Sequence, residues 1–309
     1  MLDVDYIIKH KCGEKEIYTN NYRKIDLHSD DLFGYKIEDL HSCLLDLLHE
    51  FDRICTKYNI SYILEAGTAL GTYRYNGFVP CDDDIDVAMK RNEYERFLKL
   101  AQNELPENMF IQGMKRGSQY PYPYVQLVMD NTCMVRENFK NLKMHFGVHI
   151  DIAPLDNVSA NVNLQKKQFY KAKKITAIIR KKMIPEYYTG GIWYKNLIIN
   201  LPYYLLKLVP LVLLRAIQKS IFQKYNKKQT GYIGDLCTHY KKIIAFREDK
   251  IFPGVKNVFS DKEYYVPKDI EYYLSIIYDD YKKMSPRENG TIKYNLVDMS
   301  LERNYHEED

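Results

Sequence analysis

One stretch of the chain, residues 65–89, limits the fold more than any other, because it places four carboxylates in five positions. These acids are Asp82, Asp83, Asp84 and Asp86, and they lead directly into an apolar run. On an extended strand, Asp84 and Asp86 leave the same face while Ile85 and Val87 face the core. Like charges beside a buried strand repel one another unless a cation lies between them. The pattern therefore favours a divalent-metal site over a solvated turn.

The same reasoning distinguishes Asp82 from Asp83. Asp82 lies two positions before Asp84, so on a strand its side chain leaves the same face as Asp84 and Asp86, and it is expected to reach the site. Asp83 points the other way on a regular strand, and we expect it to hold the loop by accepting hydrogen bonds from backbone donors. Carboxylate oxygens are ligands that Mg²⁺ prefers, and Mg²⁺ usually completes its shell with substrate phosphate oxygens. The expected cofactor is Mg²⁺, with Mn²⁺ as the alternative.

A Gly-Thr pair precedes the acids and fits the phosphate half of such a site. Gly67 lets the backbone approach a phosphate closely, and Thr68 is expected to cap a helix over residues 69–74 whose N-terminus favours an anion. Arg74 lies one turn into that helix. It is either a phosphate ligand or the partner of a surface acid, and we favour the phosphate.

The stretch from Gly67 to Asp86 resembles the central motif of the LicD family of phosphocholine and polyol-phosphate transferases. That family usually has tryptophan where Cys81 stands here. Two further segments are similar to family motifs: residues 147–156, which carry Asp151, and residues 278–286. The resemblance covers roughly residues 37–156 and 263–288.

This resemblance implies a nucleotidyltransferase-like α+β fold, with a mixed sheet flanked by helices. It also implies that Asp151 joins Asp84 and Asp86 as the third metal ligand and catalytic carboxylate, and draws the proton from the acceptor hydroxyl. The implied donor is a CDP-activated alcohol such as CDP-choline, and CMP leaves. The implied acceptor is a hydroxyl of a cell-surface glycan or glycolipid precursor, as in lipopolysaccharide, teichoic acid or capsule biosynthesis.

Two other functions stay open at this point. One is a nucleotidyltransferase of the same fold that releases pyrophosphate from an NTP. The other is a non-catalytic, membrane-associated scaffold, although a binding module has no need to crowd like charges. The chain has no Walker loop and no nucleophile elbow, and no nucleic-acid partner is expected. The role of His149 is left open.

Periodicity predicts the surrounding elements. Apolar residues at helical spacing predict a long helix from Ile37 to about Asn59, and a strand over 61–65 follows. Asn92 is expected to cap a helix that ends near Leu105. The remaining expected elements are strands at 109–112, 122–129, 132–136 and 149–153, a hairpin at Asp130-Asn131 joining the second and third of these, and helices over 235–240 and from about 267 or 269 to 277.

Residues 158–234 differ from the rest of the chain in charge. They contain 15 Lys and Arg but a single acid, whereas the remaining residues carry a net negative charge. An apolar stretch at 197–217 lies inside this segment, interrupted by Pro202, Lys207 and Pro210. These interruptions argue against a simple membrane span, so we favour helices lying on an anionic membrane surface over helices that only pack on the core.

The expected organisation therefore has four parts: an N-terminal extension (1–36), a catalytic core (37–157), a basic helical insertion (158–234) and a C-terminal part that completes the core (235–309). Six scattered cysteines without a Cys-x-x-Cys pair, and a polar, acidic beginning, predict a reduced cytoplasmic protein. We expect it to lie peripherally at the inner face of the membrane.

Overall fold

The computed structural model describes residues 31–79, 82–113, 119–185, 193–238, 240, 242–278, 280–282 and 296–305. Three sequence predictions lie outside the described residues. They concern the first 30 residues of the N-terminal extension, the substitution at Cys81, and the last residues of the 278–286 motif.

Eight helices and thirteen strands make up the described part of the chain. The helices are α1 (Ile37–Lys57), α2 (Ala66–Tyr75), α3 (Arg91–Ala101), α4 (Val162–Met183), α5 (Trp193–Leu208), α6 (Leu211–Phe222), α7 (Glu248–Ile251) and α8 (Ile270–Ile277). The strands are β1 (Asp31–Leu32), β2 (Tyr35–Lys36), β3 (Ile63–Leu64), β4 (Asp86–Lys90), β5 (Met109–Gln112), β6 (Val125–Met129), β7 (Cys133–Arg136), β8 (His149–Asn157), β9 (Tyr232–Asp235), β10 (Ala245–Arg247), β11 (Val255–Phe259), β12 (Lys262–Val266) and β13 (Leu296–Ser300).

A seven-stranded mixed sheet organises the molecule around β8. On one side, β8 pairs in parallel with β4, which pairs antiparallel with β3. On the other side, its first half pairs antiparallel with β6 and its end pairs antiparallel with β9. The outer strands β5 and β10 pair with β6 and β9. This mixed sheet with flanking helices confirms the predicted α+β class.

Apolar cores lie on both faces of the sheet because its central strands alternate between them. Val87 and Met89 of β4 face the core that holds α1 and α3, whereas Ala88 faces the core that holds α2 and α8. Helix α1 forms as predicted, since its apolar residues recur every three or four positions and bury one face. The predicted strand before the Gly-Thr pair is present as the shorter β3.

Helices α4, α5 and α6 form the basic segment between β8 and β9. Helix α4 packs on α6 through Ile175, Ile179 and Leu214, and Phe169 of α4 packs under β9. A break at Pro210 separates α5 from α6. None of the helices in the described chain has the length and apolarity needed to cross a membrane.

Three local predictions are wrong. The Asp130-Asn131 turn does not join a hairpin, because β6 pairs with β5 and β8 while β7 pairs with β13, which is distant in sequence. Residues 232–235 form β9 at the point where a helix was expected to begin. Helix α3 starts at Arg91, one residue before its predicted cap Asn92, and ends at Ala101.

The boundaries of the four proposed parts stay predictions. Strand β9 spans the junction predicted between residues 234 and 235 and belongs to the central sheet.

Candidate active site

The predicted carboxylate triad comes together at one end of the central strands. Asp86 on β4 is the register partner of Asp151 on the parallel strand β8, so the two residues are direct neighbours. Asp84 lies two residues before Asp86, and Ile85 between them is fully buried. All three acids line one cavity of about 190 Å³, on the face of the sheet that packs against α2 and α8.

Asp82 also lines this cavity and packs directly against Gly67 at the start of α2. A Cβ atom at position 67 would lie 2.9 Å from Asp82 Oδ2, so a side chain there would displace that carboxylate. Burial raises the pKa of Asp82 well above its usual range, and the neighbouring charges of Asp84 and Asp83 raise it further. The His41 imidazole, 2.8 Å from the Asp82 carbonyl oxygen, ties the loop to α1.

Asp83 does not have the orientation predicted for it. Residues 82–85 precede β4 rather than belonging to it, so the alternation of a strand does not have to hold at each of them. Among the described residues, one group of three acids has ligand oxygens within 4.8 Å of one another, and it comprises Asp82, Asp83 and Asp84. Asp83 is buried, and its Oδ2 lies 3.7 Å from Arg136 Nη2. Its carboxylate therefore lies beside the site, next to Asp82, Asp84 and Arg136, although Asp83 is not among the residues that line the cavity.

The donor set suits a hard divalent cation, because every side chain in both acidic groups offers carboxylate oxygen. Asp84 belongs both to the group of Asp82, Asp83 and Asp84 and to the predicted triad, so it is the candidate ligand that both arrangements share. The assignment of Asp84, Asp86 and Asp151 as metal ligands stays a prediction.

Asp151 is held by polar neighbours. Gln126 Nε2 on β6 donates to Asp151 Oδ1 at 2.9 Å, and His149 Nε2 lies 3.9 Å from the same oxygen. His149 Nδ1 is 2.8 Å from the Gly147 carbonyl oxygen, which can only accept, so that nitrogen carries the proton. Burial lowers the pKa of His149, which favours the neutral ring. The Tyr124 hydroxyl is a further hydrogen-bond partner of the Asp151 carboxylate.

Thr68 has a different local role from the one predicted. Helix α2 begins at Ala66, with Glu65 preceding it, so Thr68 lies inside the first turn rather than at the cap. The Thr68 hydroxyl accepts a hydrogen bond from the Asp86 backbone N–H at 2.9 Å, and thereby fixes the start of β4 to α2. The predicted part of Thr68 in substrate binding is untested.

Arg74 is not among the residues that line the carboxylate cavity. Its guanidinium carbon lies 5.4 Å from the centre of the Tyr75 ring, near the other end of α2. Of the four predicted substrate-binding residues, Gly67 and Asp82 line the cavity, and Thr68 supports its wall.

Two buried acids in the cavity wall were not found from the sequence. Burial raises the pKa of Glu65 well above its usual range, and the charges of Asp235 and Asp86 add to the effect. Within the described structure, Glu65 Oε1 is buried without a hydrogen-bond partner. Burial also raises the pKa of Asp235 to about 6, although its Oδ1 accepts from the backbone N–H groups of Cys237 and Thr238. Glu65 lies two residues before Gly67 of the Gly-Thr motif, and this position was its only signal.

The fold and this cavity define a nucleotidyltransferase-like protein whose site is built from clustered carboxylates on a mixed sheet. Residues 59–185 match the model of the family described as LicD/FKTN/FKRP, nucleotidyltransferase domain. That range contains Gly67, the acids from 82 to 86, and Asp151.

The chain is also similar to individual proteins. It is 27% identical over 266 residues to the lipopolysaccharide cholinephosphotransferase LicD of Haemophilus influenzae, with 79% of this chain and 91% of that protein covered. An uncharacterized protein of Rickettsia typhi is 29% identical over 85 residues, which is 27% of this chain and 28% of the relative. Residues 59–185 therefore form a LicD-type nucleotidyltransferase domain, and the predictions of the family and of an enzyme are confirmed.

Proposed function

We propose that the chain transfers a phospho-alcohol group, of the phosphocholine type, from a CDP-activated donor to a hydroxyl of a cell-surface glycan or glycolipid precursor, and releases CMP. The observation that supports this most is the register pairing of Asp86 with Asp151 beside Asp84, in a cavity entered by the start of α2. The likeness to a lipopolysaccharide cholinephosphotransferase supports the same chemistry.

The roles of the residues follow from their positions. The start of α2, with Gly67, approaches the phosphates of the donor, where the helix N-terminus favours negative charge. Arg136, at the end of β7, adds a fixed positive charge to the same cavity. Asp151, held through Oδ1 by Gln126, accepts the proton of the attacking hydroxyl.

The carboxylates of Asp84, Asp86 and Asp151 would hold Mg²⁺, or Mn²⁺ in its place, with Asp82 and Asp83 close enough to adjust the charge of the site. Bound Mg²⁺ would neutralise negative charge on the diphosphate as CMP departs. Binding the ion would also relieve the repulsion between the acids, which burial makes costly.

We also propose that the enzyme lies on the cytoplasmic surface of an anionic membrane. Helices α5 and α6 expose large apolar side chains, including Ile198, Leu208 and Val212, each with at least 66% of its surface exposed. Lysines flank them on the neighbouring helices. Apolar side chains surrounded by bases match the acyl boundary and head groups of such a surface.

The transfer reaction is tested by incubating the protein with Mg²⁺, CDP-choline and a glycolipid extract, and by identifying the nucleotide released. We expect CMP, and we expect Asp84→Asn, Asp86→Asn and Asp151→Asn each to lower its rate by about two to three orders of magnitude or more, as is usual when a group that stabilises the transition state is lost. Because the three acids act as a unit, a double variant should lose little more than the worse single variant.

Asp46→Asn, at an exposed position on α1, is the matched control and should keep the parental rate. A thermal melt of each variant excludes unfolding as the cause. Release of pyrophosphate from CTP would favour the nucleotidyltransferase alternative, and the absence of turnover with either nucleotide would favour the scaffold. A near-parental rate for Asp84→Asn would show that the catalytic centre lies elsewhere.

A further inference from the structure

A second cavity, of about 560 Å³, adjoins the carboxylate cavity. The two share walls formed by Tyr122, Tyr124, Arg136, Cys237 and Thr238. Helix α4 closes the opposite side. The volume lies within the range of small-molecule sites, and the shared wall means that a ligand here would lie next to the reacting groups.

Flat apolar surfaces form one side of this second cavity. The rings of Tyr122 and Tyr124 stack with their centres 5.1 Å apart, and Phe139 meets Tyr122 edge to face at 5.6 Å. Pro121 and Pro123 are buried beside them. Aromatic faces carry partial negative charge and pack against the C–H groups of a sugar ring or against a base.

Basic side chains line the other side. Lys173 of α4 donates through Nζ to the carbonyl oxygens of Tyr240 and Lys242, which leaves one of its three protons for a ligand. Arg180, two turns further along α4, lies over the Phe139 ring at 5.9 Å and is exposed. The described residues that line this cavity include no carboxylate. The charge is thus opposite to that of the adjoining cavity.

We propose that this second cavity binds the acceptor, and that the part of the acceptor it holds is a sugar ring bearing a phosphate or a carboxylate. This inference rests on the proposed function. The negative charges of a CDP-activated donor lie on its two phosphates, and the carboxylate cavity with the cation proposed for it would account for both. A second set of cations, on another helix and beside aromatic faces, therefore matches an anion that belongs to the other substrate.

The test measures binding rather than turnover, by saturation-transfer NMR on the full chain with Mg²⁺. The probes are glucose 6-phosphate, glucuronate, neutral glucose and CDP. We expect at least one of the two anionic sugars to bind better than glucose, and the stronger of them identifies the anion as phosphate or carboxylate. Arg180→Ala and Lys173→Ala should weaken that binding about 10-fold, the loss expected for one charged hydrogen bond. Binding of CDP should not change.

Lys174→Ala, which removes an exposed lysine of the same helix that does not line the cavity, is the matched control and should bind all probes as the parent does. Arg180 is exposed, so its replacement tests the inference even where Lys173→Ala fails to fold.

The inference would be overturned if the anionic sugars bind no better than glucose, or if they bind to Arg180→Ala as well as to the parent. Weaker CDP binding in the two variants would overturn it in favour of the nucleotide. If anionic sugars bind but no CMP is released in the transfer assay, the proposed function fails and the subsite remains.

Discussion

Asp235 is a buried carboxylate whose environment raises its pKa from 3.8 to about 6, chiefly because burial disfavours the charged form. Between these two values the folded protein binds a proton that the unfolded chain has already released. The free energy of unfolding therefore falls as the pH rises through this window, and the loss is complete above about pH 6. Its upper limit is about 3 kcal/mol, from about 1.4 kcal/mol for each pKa unit.

We expect Asp235→Asn to be more stable than the parent at about pH 8, by up to about 3 kcal/mol, and equally stable near pH 4. The amide oxygen of asparagine can still accept the backbone hydrogen bonds of Cys237 and Thr238. Urea denaturation at the two pH values measures the difference. Asp249→Asn, at an exposed carboxylate paired with Arg247, is the control and should give no such gain at about pH 8. An equal gain for Asp235→Asn at both pH values would show that its charge is not the cause.

At the residue scale, the sequence predicted side chains correctly where the backbone is regular. The alternation of an extended chain was enough to place Asp84 and Asp86 on the cavity side and Ile85 and Val87 in the core, although Asp84 and Ile85 precede β4. The same rule failed for Asp83, since the residues before β4 turn out of the strand and bring its carboxylate to Arg136. That contact depends on β7, which no local pattern could bring to this loop.

Helix α2 shows how two glycines on one element differ in function. A Cβ atom at Gly67 would meet the Asp82 carboxylate at 2.9 Å, whereas one at Gly71 would meet the Gly77 carbonyl oxygen at 2.3 Å. A carboxylate can rotate away, but backbone cannot move without disturbing its neighbours. The first glycine therefore makes room for the site, and the second allows α2 to pack against the chain that follows it.

We expect Gly71→Ala to lower the free energy of unfolding by about 1–3 kcal/mol, the usual cost of overpacking, despite the better helix propensity of alanine. Gly67→Ala should lose less stability but most of its CMP release, because it displaces Asp82. Urea denaturation and the transfer assay separate the two effects. Equal destabilisation by both substitutions, or a parental rate for Gly67→Ala, would contradict this assignment.

Elements were predictable where their signal is local. Helix α1 follows from its own periodicity, and α8 begins after Asp269, whose side chain accepts from the Tyr272 backbone N–H. The false hairpin at Asp130-Asn131 has the right turn residues, and Asn131 adopts the positive φ that such a turn requires. Strand pairing decides the outcome there, because β13 comes from about 160 residues further along the chain and occupies the edge of β7.

Charge and hydrophobicity combine at the scale of the whole molecule. The segment of residues 158–234 holds a third of the lysines and arginines in the chain, and α5 and α6 within it expose apolar side chains. Helix α6 is also fixed to the core, since Arg215 donates to the carbonyl oxygens of Tyr120 and Tyr122. A membrane bound to these helices would therefore have a fixed position relative to the cavities.

We expect the protein to co-sediment with anionic vesicles more than with neutral ones, and high salt to release much of it, because salt screens the attraction of head groups for lysine. Leu208→Asp with Val212→Asp should weaken sedimentation by about 10-fold or more, since two exposed apolar side chains are lost from the contact. Leu164→Asp introduces one such negative charge in the first turn of α4, where an acid suits the helix, and should leave binding nearly unchanged.

Equal sedimentation with both kinds of vesicle would contradict the electrostatic contribution. Failure of the protein to sediment with either kind of vesicle would contradict the membrane proposal as a whole.

The fold class was predictable because the motif around Asp84 is shared by a family, whereas the strand order was not. The basic segment was identified from its charge alone, yet its last residues belong to β9 of the central sheet. Sequence composition could not show this, because a strand of four residues, Tyr232–Asp235, leaves little signal of its own.

The basic segment leaves the sheet and returns to it at neighbouring points, since Asn157 at the end of β8 pairs with Ile233 of β9. The family match ends at residue 185, close to the end of α4, so α5 and α6 lie beyond it. Lengthening a loop whose two ends are held together costs little conformational entropy, about 0.6 kcal/mol for each doubling of the loop length. Over evolution, this part of the chain can therefore grow or shrink while Asp86 and Asp151 stay in register on β4 and β8.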